Sequence, residues 1–248
     1  MRIGGIVDVS TVDWYGNVTF MVFAAGCNFR CPYCQNSTLI PADSGQEVGL
    51  DFIDERIKAN ILLIDALGVT GGEPTLQPKA LREVYGLARK WRLKTLLDTN
   101  GSRPDVIRKL LSEGLVDHVA LDVKAPLKPE DYSRVVGVKN SEKIVEDVMR
   151  SLDLCVEHGV SLEVRTTVVP GLSDGEEFMA EIAKVIKGKY RLFFLQQFNP
   201  LGNVLDSKLK ERGFTSRQRL LDLASVAAGE GLKEIYIKTH ERGLEKVR

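Results

Sequence analysis

Short runs rich in β-branched residues alternate with helical patterns along nearly the whole chain of 248 residues. Alternation of this kind is typical of a parallel sheet with crossover helices, either open or curled into a barrel. Both architectures gather functional residues in the loops that follow the strands. The candidate strands are residues 17–25, 66–71, 94–100, 117–123, 161–169, 191–198 and 233–240.

The helical segments between these strands show an apolar face with a period near 3.6 residues. Residues 78–91 are predicted to form one helix, with Pro78 in its first turn. Residues 141–158 repeat the same periodicity. Ser173 and Glu176 have the spacing of a capping box and are predicted to open a third helix.

The chain is predicted to be a single domain spanning residues 1–248, because it has no linker-like break, low-complexity segment or internal repeat. Hydrophobic residues make up 44% and charged residues 27%, as in soluble globular proteins. Within this domain we distinguish a cysteine loop at 26–36, a core at about 17–200 and a helix–strand extension at about 201–248.

Polar and glycine residues follow the candidate strands at the point where each strand ends. The cysteine loop follows the first strand, and the second and third lead into TGGEP (70–74) and DTNG (98–101). The fourth ends in DVKAP (122–126), and the sixth in QQFNPLGN (196–203). Because the carboxyl ends of parallel strands share one edge, these loops are expected to form one site.

Three of the four cysteines lie within eight positions, in the pattern C-x3-C-x2-C of Cys27, Cys31 and Cys34. Thiolates suit iron–sulfur clusters and zinc. A [4Fe–4S] cluster held by three cysteines keeps one iron free for another ligand. A zinc site completed by a distant histidine remains the alternative, although structural zinc normally takes four ligands. Cys155 lies on an apolar helix face and is expected to be a buried thiol.

Charge and apolar content limit the partners and the compartment. Acidic and basic residues are equal in number, so the net charge gives no general attraction to nucleic acid or to a membrane surface. The longest apolar run is about half of what a membrane span needs. Asp8 and Asp13 argue against a signal peptide at the N-terminus. We therefore expect a cytoplasmic protein, in which clustered thiols stay reduced and available as ligands.

The cysteine pattern with Tyr33 before the last cysteine, followed by a GGE motif after the second strand, resembles the signature of the radical S-adenosylmethionine (SAM) superfamily. The segments GCNFRCPYCQN, TGGEPTLQ, DTNG, LDVK, 135–148 and VVPGLSD resemble those of the glycyl-radical-enzyme activating enzymes, in the same order. STVDWYG, at 10–16, is similar to a segment of activases assigned to anaerobic ribonucleotide reductase.

This resemblance implies an α/β fold, an open partial (β/α)6 TIM-like barrel in a single domain. It also implies that Cys27, Cys31 and Cys34 hold a [4Fe–4S] cluster whose fourth iron binds SAM. These cysteines and Lys124 are the residues to which it assigns catalysis. Only Cys155 remains for any further cluster, so a single-cluster enzyme is expected.

The resemblance places further residues around SAM. Tyr33 would lie near the adenine, and the loop after the second strand near the methionine amino group. Two strand-end aspartates and Lys124 would surround the SAM carboxylate, and the aspartates could also hold a monovalent cation. Arg165 would meet a SAM oxygen, since burial without an anion is costly. The complete set is Tyr33, Gly71, Gly72, Glu73, Asp98, Asp122, Lys124, Arg165 and Asn199.

Each of these residues also has an ordinary structural interpretation. Gly71 and Gly72 could form a simple turn, and Tyr33 could be a core aromatic residue. Asp98 could cap a turn before Asn100–Gly101, and Lys124 could form a plain ion pair with Asp122.

One position departs from the family pattern. Pyruvate formate-lyase activases usually have histidine where this chain has Asn199, and asparagine cannot titrate. This departure argues against the pyruvate formate-lyase type and favours an activase of the anaerobic ribonucleotide reductase type, or one of a type not yet characterised. Its protein substrate would be a glycyl radical enzyme, and its electron donor a flavodoxin or ferredoxin.

Two alternatives remain. One is small-molecule or tRNA-modification chemistry, as in the 7-carboxy-7-deazaguanine synthases. Those enzymes typically have threonine soon after the last cysteine, where this chain has Gln35 and Asn36. The other is a non-catalytic zinc or iron–sulfur protein, which would have no use for GGE, DTNG and DVK at strand ends.

Overall fold

The alternating segments fold into one sheet of ten strands, as seen in a computed structural model that describes residues 1–139 and 141–247. Asn140, within the family-like segment 135–148, and Arg248, the last residue of the predicted domain, lie outside the described residues. The strands are β1 (Arg2–Ser10), β2 (Thr19–Ala24), β3 (Gln46–Glu47), β4 (Ala66–Gly71), β5 (Lys94–Thr99), β6 (His118–Asp122), β7 (Ser161–Val168), β8 (Leu192–Gln197), β9 (Ile235–Thr239) and β10 (Gly243–Lys246).

Helices connect most of the parallel strands and pack on one face of the sheet. Short 3₁₀ turns at Ser37–Leu39, Pro74–Leu76 and Ser207–Arg212 supplement them. The α-helices are α1 (Leu50–Asn60), α2 (Pro78–Lys90), α3 (Pro104–Ser112), α4 (Pro129–Val136), α5 (Glu142–Glu157), α6 (Glu176–Ile186) and α7 (Arg217–Gly229). Among the described residues, no helix combines the length and apolar character that crossing a membrane requires.

The strand order is β10-β9-β8-β7-β6-β5-β4-β2-β1-β3. Strand β2 and strands β4 to β9 run parallel, while β1, β3 and β10 pair antiparallel with their neighbours. In the described residues the edge strands β3 and β10 do not pair with each other, so the sheet does not close. The predicted open, partial α/β barrel is confirmed.

Helix α2 illustrates how the sequence pattern produces the packing. Pro78 occupies its first turn, and Leu81, Val84, Tyr85 and Ala88 are fully buried against the sheet. Burying each large apolar side chain contributes about 1.5–3 kcal/mol. The Tyr85 hydroxyl donates a 2.8 Å hydrogen bond to the carbonyl of Leu96, so its polar atom is also satisfied.

A second, small core lies on the opposite face of the sheet. Trp14, in the connection between β1 and β2, packs there with Met21, Ala66, Leu96 and Ala120. The small alanines leave room for the indole ring, which also stacks on His118 with ring centroids 4.9 Å apart. The connection between β1 and β2 therefore fills part of the inside of the open barrel.

The structure corrects two expectations. Helix α6 begins at Glu176 with Gly175 at its N-cap, so the predicted capping box of Ser173 and Glu176 is wrong. The Ser173 hydroxyl instead donates to the Thr167 carbonyl at 2.9 Å and accepts from the Val169 amide. Strand β1 also precedes the predicted core, because the chain before residue 17 adds an antiparallel strand to β2.

Candidate active site

A cavity of about 400 Å³ opens at the carboxyl ends of the parallel strands. It contains the loops that the sequence predicted to converge, and eleven of the twelve predicted site residues line it. These eleven are Cys27, Cys31, Tyr33, Cys34, Gly71, Gly72, Glu73, Asp98, Asp122, Lys124 and Asn199. Arg165 is the exception.

The cysteine loop is held by backbone contacts rather than by regular structure. The amides of Gly26 and Cys27 donate to the carbonyls of Leu39 and Ile40 at 2.8 and 3.0 Å. The Cys34 amide donates to the Cys31 carbonyl at 3.0 Å, which forms a tight turn between two of the thiols. The loop therefore presents its cysteines from a fixed backbone.

The three thiols fit an iron–sulfur centre better than a single metal ion. Within residues 1–139 and 141–247, no three His, Cys, Asp or Glu side chains converge on one ion position. A cubane cluster does not need such convergence, because each cysteine binds a separate iron. The Phe29 amide donates to Cys27 Sγ at 3.4 Å, a contact of the kind that tunes cluster sulfur ligands.

Burial controls the protonation of these thiols. It raises the pKa of Cys27 to about 11 and that of Cys31 to about 12, and it also raises the pKa of Cys34. Without a bound cation the thiols are therefore protonated at neutral pH. Metal binding requires thiolates, so loading the loop must release protons.

The buried hydroxyl of Tyr33 forms no hydrogen bond with any residue that the structure describes. The side chain nevertheless lines the cavity. Lys124 Nζ lies 6.0 Å from the centre of the Tyr33 ring. A buried, unpartnered hydroxyl beside the cysteines is what a site shaped for a polar cofactor would contain.

The two glycines after β4 allow the GGE loop to touch the cysteine loop. A Cβ on Gly71, whose φ is +118°, would lie 2.4 Å from the backbone of Ala24. A Cβ on Gly72 would lie 2.1 Å from the Gly26 carbonyl oxygen. Because any side chain would clash there, the glycines serve close approach between two protein backbones. Their approach to a methionine amino group stays a prediction.

Glu73 is fully buried and joins two loops. One carboxylate oxygen accepts from the Thr75 amide at 3.1 Å, from the Thr75 hydroxyl and from the Thr99 hydroxyl at 2.7 Å. The other accepts from the Asn100 amide at 2.7 Å. Burial raises the pKa of Glu73, and these hydrogen bonds oppose the shift. The carboxylate thus ties TGGEP to DTNG, and its contact with SAM stays a prediction.

Arg165 lies beneath the cavity in a chain of buried charges. Its guanidinium donates to Asp98 at 3.2 Å, to the Asp13 carbonyl at 2.7 Å and to Glu163. Glu163 also lies 3.4 Å from His118 Nε2. Burial raises the pKa of the Glu163 carboxyl, but Arg165 and His118 together outweigh burial and lower it. The anionic partners found for Arg165 are therefore protein carboxylates, and its contact with SAM is untested.

The pair Asp122–Lys124 is not an ordinary surface ion pair. The Lys124 ammonium donates to Asp122 at 2.7 Å, and the two side chains are only 15% and 23% exposed, respectively. Burial lowers the pKa of Lys124, but the adjacent Asp122 carboxylate opposes this effect, and the pKa lies well above its usual value. Asp98 lies on the same cavity wall, where burial raises its pKa to about 6. A monovalent cation between these aspartates stays a prediction.

The loop after β8 covers the cysteine loop. Gln35 Nε2 donates to the Asn199 carbonyl at 3.2 Å, and the Asp206 amide donates to the Pro32 carbonyl at 2.8 Å. The Asn199 side-chain oxygen accepts from the Leu201 amide at 2.9 Å, and the residue lines the cavity. Asn199 therefore lies at the predicted place, although its role is untested.

Sequence reasoning missed several cavity residues. Thr70 donates to Asp98 at 2.8 Å, and Asn100 Nδ2 donates to Asn28 at 3.0 Å. Glu163, which pairs with Arg165 and is not among the residues that line the cavity, could also have been found, because the two residues share a strand face. Thr167 and Gln196 also line the cavity. They lie on strands in which the apolar pattern does not show which face points into the barrel.

Comparison with known proteins agrees with this site. Residues 21–183 match the family model described as the radical SAM superfamily. A candidate glycyl-radical enzyme activating enzyme of Methanocaldococcus jannaschii is 35% identical over 227 residues, which are 91% of either chain. The pyruvate formate-lyase 1-activating enzyme of Escherichia coli K12 is 31% identical over 183 residues, 71% of either chain.

A solved radical SAM methyltransferase from Sphaerobacter thermophilus has the same fold, with a TM-score of 0.73 and 15% identity. The match covers 91% of this chain and 67% of that chain. From the family match and the two relatives together, the chain belongs to the radical SAM superfamily and, within it, to the glycyl-radical-enzyme activating enzymes.

Proposed function

We propose that this protein cleaves SAM reductively and activates a partner glycyl radical enzyme by removing a hydrogen atom from a glycine Cα. The observation that carries the proposal is the shared cavity, in which the cysteine loop lies beside Glu73, Asp98, Asp122 and Lys124. The two activating-enzyme relatives support the same chemistry.

Cys27, Cys31 and Cys34 would hold a [4Fe–4S] cluster. When bound, the cluster would supply the electron that cleaves SAM to methionine and a 5′-deoxyadenosyl radical. A donor such as a flavodoxin or ferredoxin would reduce the cluster. Lys124 offers a cation, held by Asp122, that suits a carboxylate. Tyr33 offers an aromatic face and a free hydroxyl.

The reaction on the partner balances as a hydrogen-atom transfer. The glycine Cα–H bond breaks homolytically, its hydrogen atom joins the 5′ carbon to give 5′-deoxyadenosine, and a glycyl radical remains on the partner. The chain's own contribution is to exclude water and hold the reacting groups together. The unclosed sheet suits this reaction because a polypeptide loop needs more access than a small molecule does.

We propose the anaerobic ribonucleotide reductase type as the subtype. Asn199 lies in the cavity at the position where pyruvate formate-lyase activases usually have histidine. Asparagine cannot carry a proton-linked role there. The subtype is tested by offering both kinds of partner enzyme to the same preparation.

The direct test is electron paramagnetic resonance of the anaerobically reconstituted protein mixed with reductant, SAM and a candidate partner. A glycyl-radical doublet is expected with wild type and should be absent with Cys31→Ala. If 5′-deoxyadenosine forms but neither partner type gives the doublet, activation of a glycyl radical enzyme is refuted, while SAM cleavage stands.

A further inference from the structure

One wall of the cavity carries the cysteine loop with Glu73, Asp98, Asp122 and Lys124. A second wall, formed by β7, β8 and β9, has a different composition. The strand register pairs Thr167 with Gln196 and Gln196 with Lys238, so these side chains stand in one row on one face. All three line the cavity. With strands about 4.8 Å apart, the row spans about 10 Å, the length of about three extended residues.

Gln196 differs from the other amides around the cavity in its hydrogen bonding. Its neighbour Gln197 donates to the Thr215 carbonyl at 2.7 Å and accepts from the His240 amide at 2.7 Å. Gln35 and Asn36 likewise donate to backbone carbonyls. Within residues 1–139 and 141–247, no hydrogen bond uses the side chain of Gln196 or Thr167, so both can bind a ligand.

The row offers neutral donors and acceptors rather than a charged pair. Lys238, the one cation in the row, is held by a 2.8 Å hydrogen bond to the Val12 carbonyl. A primary amide carries a donor and an acceptor side by side. It can therefore bond to both the C=O and the N–H of one residue in an extended main chain, because these two groups point to the same side of the chain. Carboxylate or phosphate ligands would instead call for arginine in such a row.

A nucleoside would need an aromatic face in addition to an amide. Phe194, the preceding inward residue of β8, is stacked on Tyr236 with ring centroids 5.2 Å apart. The His240 ring packs on Phe214 at 5.4 Å. In the described part of this wall, then, the rings nearest Gln196 are already engaged, and a main chain fits the row better than a base.

We infer that Gln196, assisted by Thr167, binds the main chain of the glycine-bearing loop and fixes its position in the cavity. This inference rests on the proposed function and adds the residues that recognise its substrate. Because this row recognises main chain rather than side chains, we expect its ligand to be an uncharged, extended peptide segment around the glycine.

The test uses the reconstituted full-length protein with SAM and no reductant, so that binding is measured without turnover. A blocked heptapeptide, Ala-Ser-Ala-Gly-Ala-Ser-Ala, is titrated by calorimetry. Replacing Gln196→Leu removes both hydrogen bonds and should weaken binding about tenfold, while Gln196→Asn should restore part of it. Gln218→Leu, on the exposed surface of α7, is the matched control and should leave affinity unchanged.

A second set of peptides tests whether the main chain is the recognised group. Each carries one N-methylated amide in its central three residues. At one methylation position the peptide should bind wild type about tenfold more weakly than the unmethylated peptide does. That same peptide and the unmethylated peptide should bind Gln196→Leu with equal affinity. No saturable peptide binding to wild type, equal affinity for wild type and Gln196→Leu, or stronger binding of guanosine than of the peptide would overturn the inference.

Failure of the proposed function has a different signature. In this case, the reduced wild-type protein would transfer no deuterium to 5′-deoxyadenosine from a heptapeptide whose central glycine is dideuterated. Failure of this inference would appear as deuterium transfer and peptide affinity that Gln196→Leu leaves unchanged.

Discussion

Glu73 is a buried carboxylate that the surrounding loops satisfy almost completely. Four donors from Thr75, Thr99 and Asn100 converge on its two oxygens. A carboxylate is the side chain that accepts in all these directions at once, since an amide would present a donor to one of them. The residue therefore positions the cavity wall, whatever its contact with SAM.

Glu73→Gln should destabilise the cofactor-free protein by about 1–3 kcal/mol, because an amide NH₂ would face the Asn100 amide or the threonine donors. Urea unfolding followed by circular dichroism measures the effect. Glu83→Gln, exposed on α2, is the matched control and should change stability by less than about 0.5 kcal/mol. Equal stability of Glu73→Gln and wild type would refute the positioning role.

Asp98 makes the folding stability depend on pH, and its buried environment determines the direction of that dependence. Burial raises its pKa to about 6, above the value of 3.8 expected in the unfolded chain, although Arg165 opposes the shift. Between these two values the folded protein holds a proton that the unfolded chain has lost, so this group lowers stability as pH rises through that range.

Asp98→Asn should therefore be more stable than wild type at pH 7.5, by about 2 kcal/mol, and should lose most of that advantage at pH 4.5. Unfolding of the cofactor-free proteins at both pH values makes the comparison. An advantage that does not shrink at the lower pH would contradict the assigned cause.

At the scale of elements, the connection between β1 and β2 ties the open barrel together from inside. Trp14 stacks on His118 in β6, and the Asp13 carbonyl accepts from Arg165 in β7. The Val12 carbonyl accepts from Lys238 in β9. One short segment thus contacts strands that are far apart in the sheet.

Trp14→Ala should cost about 3–5 kcal/mol of folding free energy, because it empties the small inner core. Tyr15→Ala, next to it but 59% exposed, should cost less than about 1 kcal/mol. Denaturant titration of both variants gives the comparison. Similar losses in the two would show that the segment does not act through its buried indole.

The predictable elements were those with a strong apolar period. Helix α2 and strands β4 to β8 follow from such patterns, and the cysteine spacing located the loop that contributes most to the cavity. Strand β1 was missed because two adjacent glycines, Gly4 and Gly5, interrupt its apolar period. The Ser173 capping box failed because its hydroxyl bonds to Thr167 and Val169 instead. For Arg165 the sequence predicted contact with a SAM oxygen, because its pairing with Asp98 depends on a tertiary contact that the sequence does not reveal.

At the scale of the whole molecule, the sheet order brings the ends of β2, β4, β5 and β6 to one side of a single cavity and β7 to β9 to another. The first group carries the residues assigned to cluster and SAM, and the second carries the row around Gln196. The unclosed edge between β3 and β10 keeps this arrangement accessible to a large partner.

The central claim is that the three cysteines hold a cluster with one iron open to SAM. It is tested most directly by metal analysis of the anaerobically reconstituted protein, together with its reduced paramagnetic resonance spectrum before and after SAM is added. We predict about four irons per chain and a cluster signal that SAM changes, with both lost in Cys31→Ala. One zinc per chain, or a cluster signal identical with and without SAM, would contradict the claim.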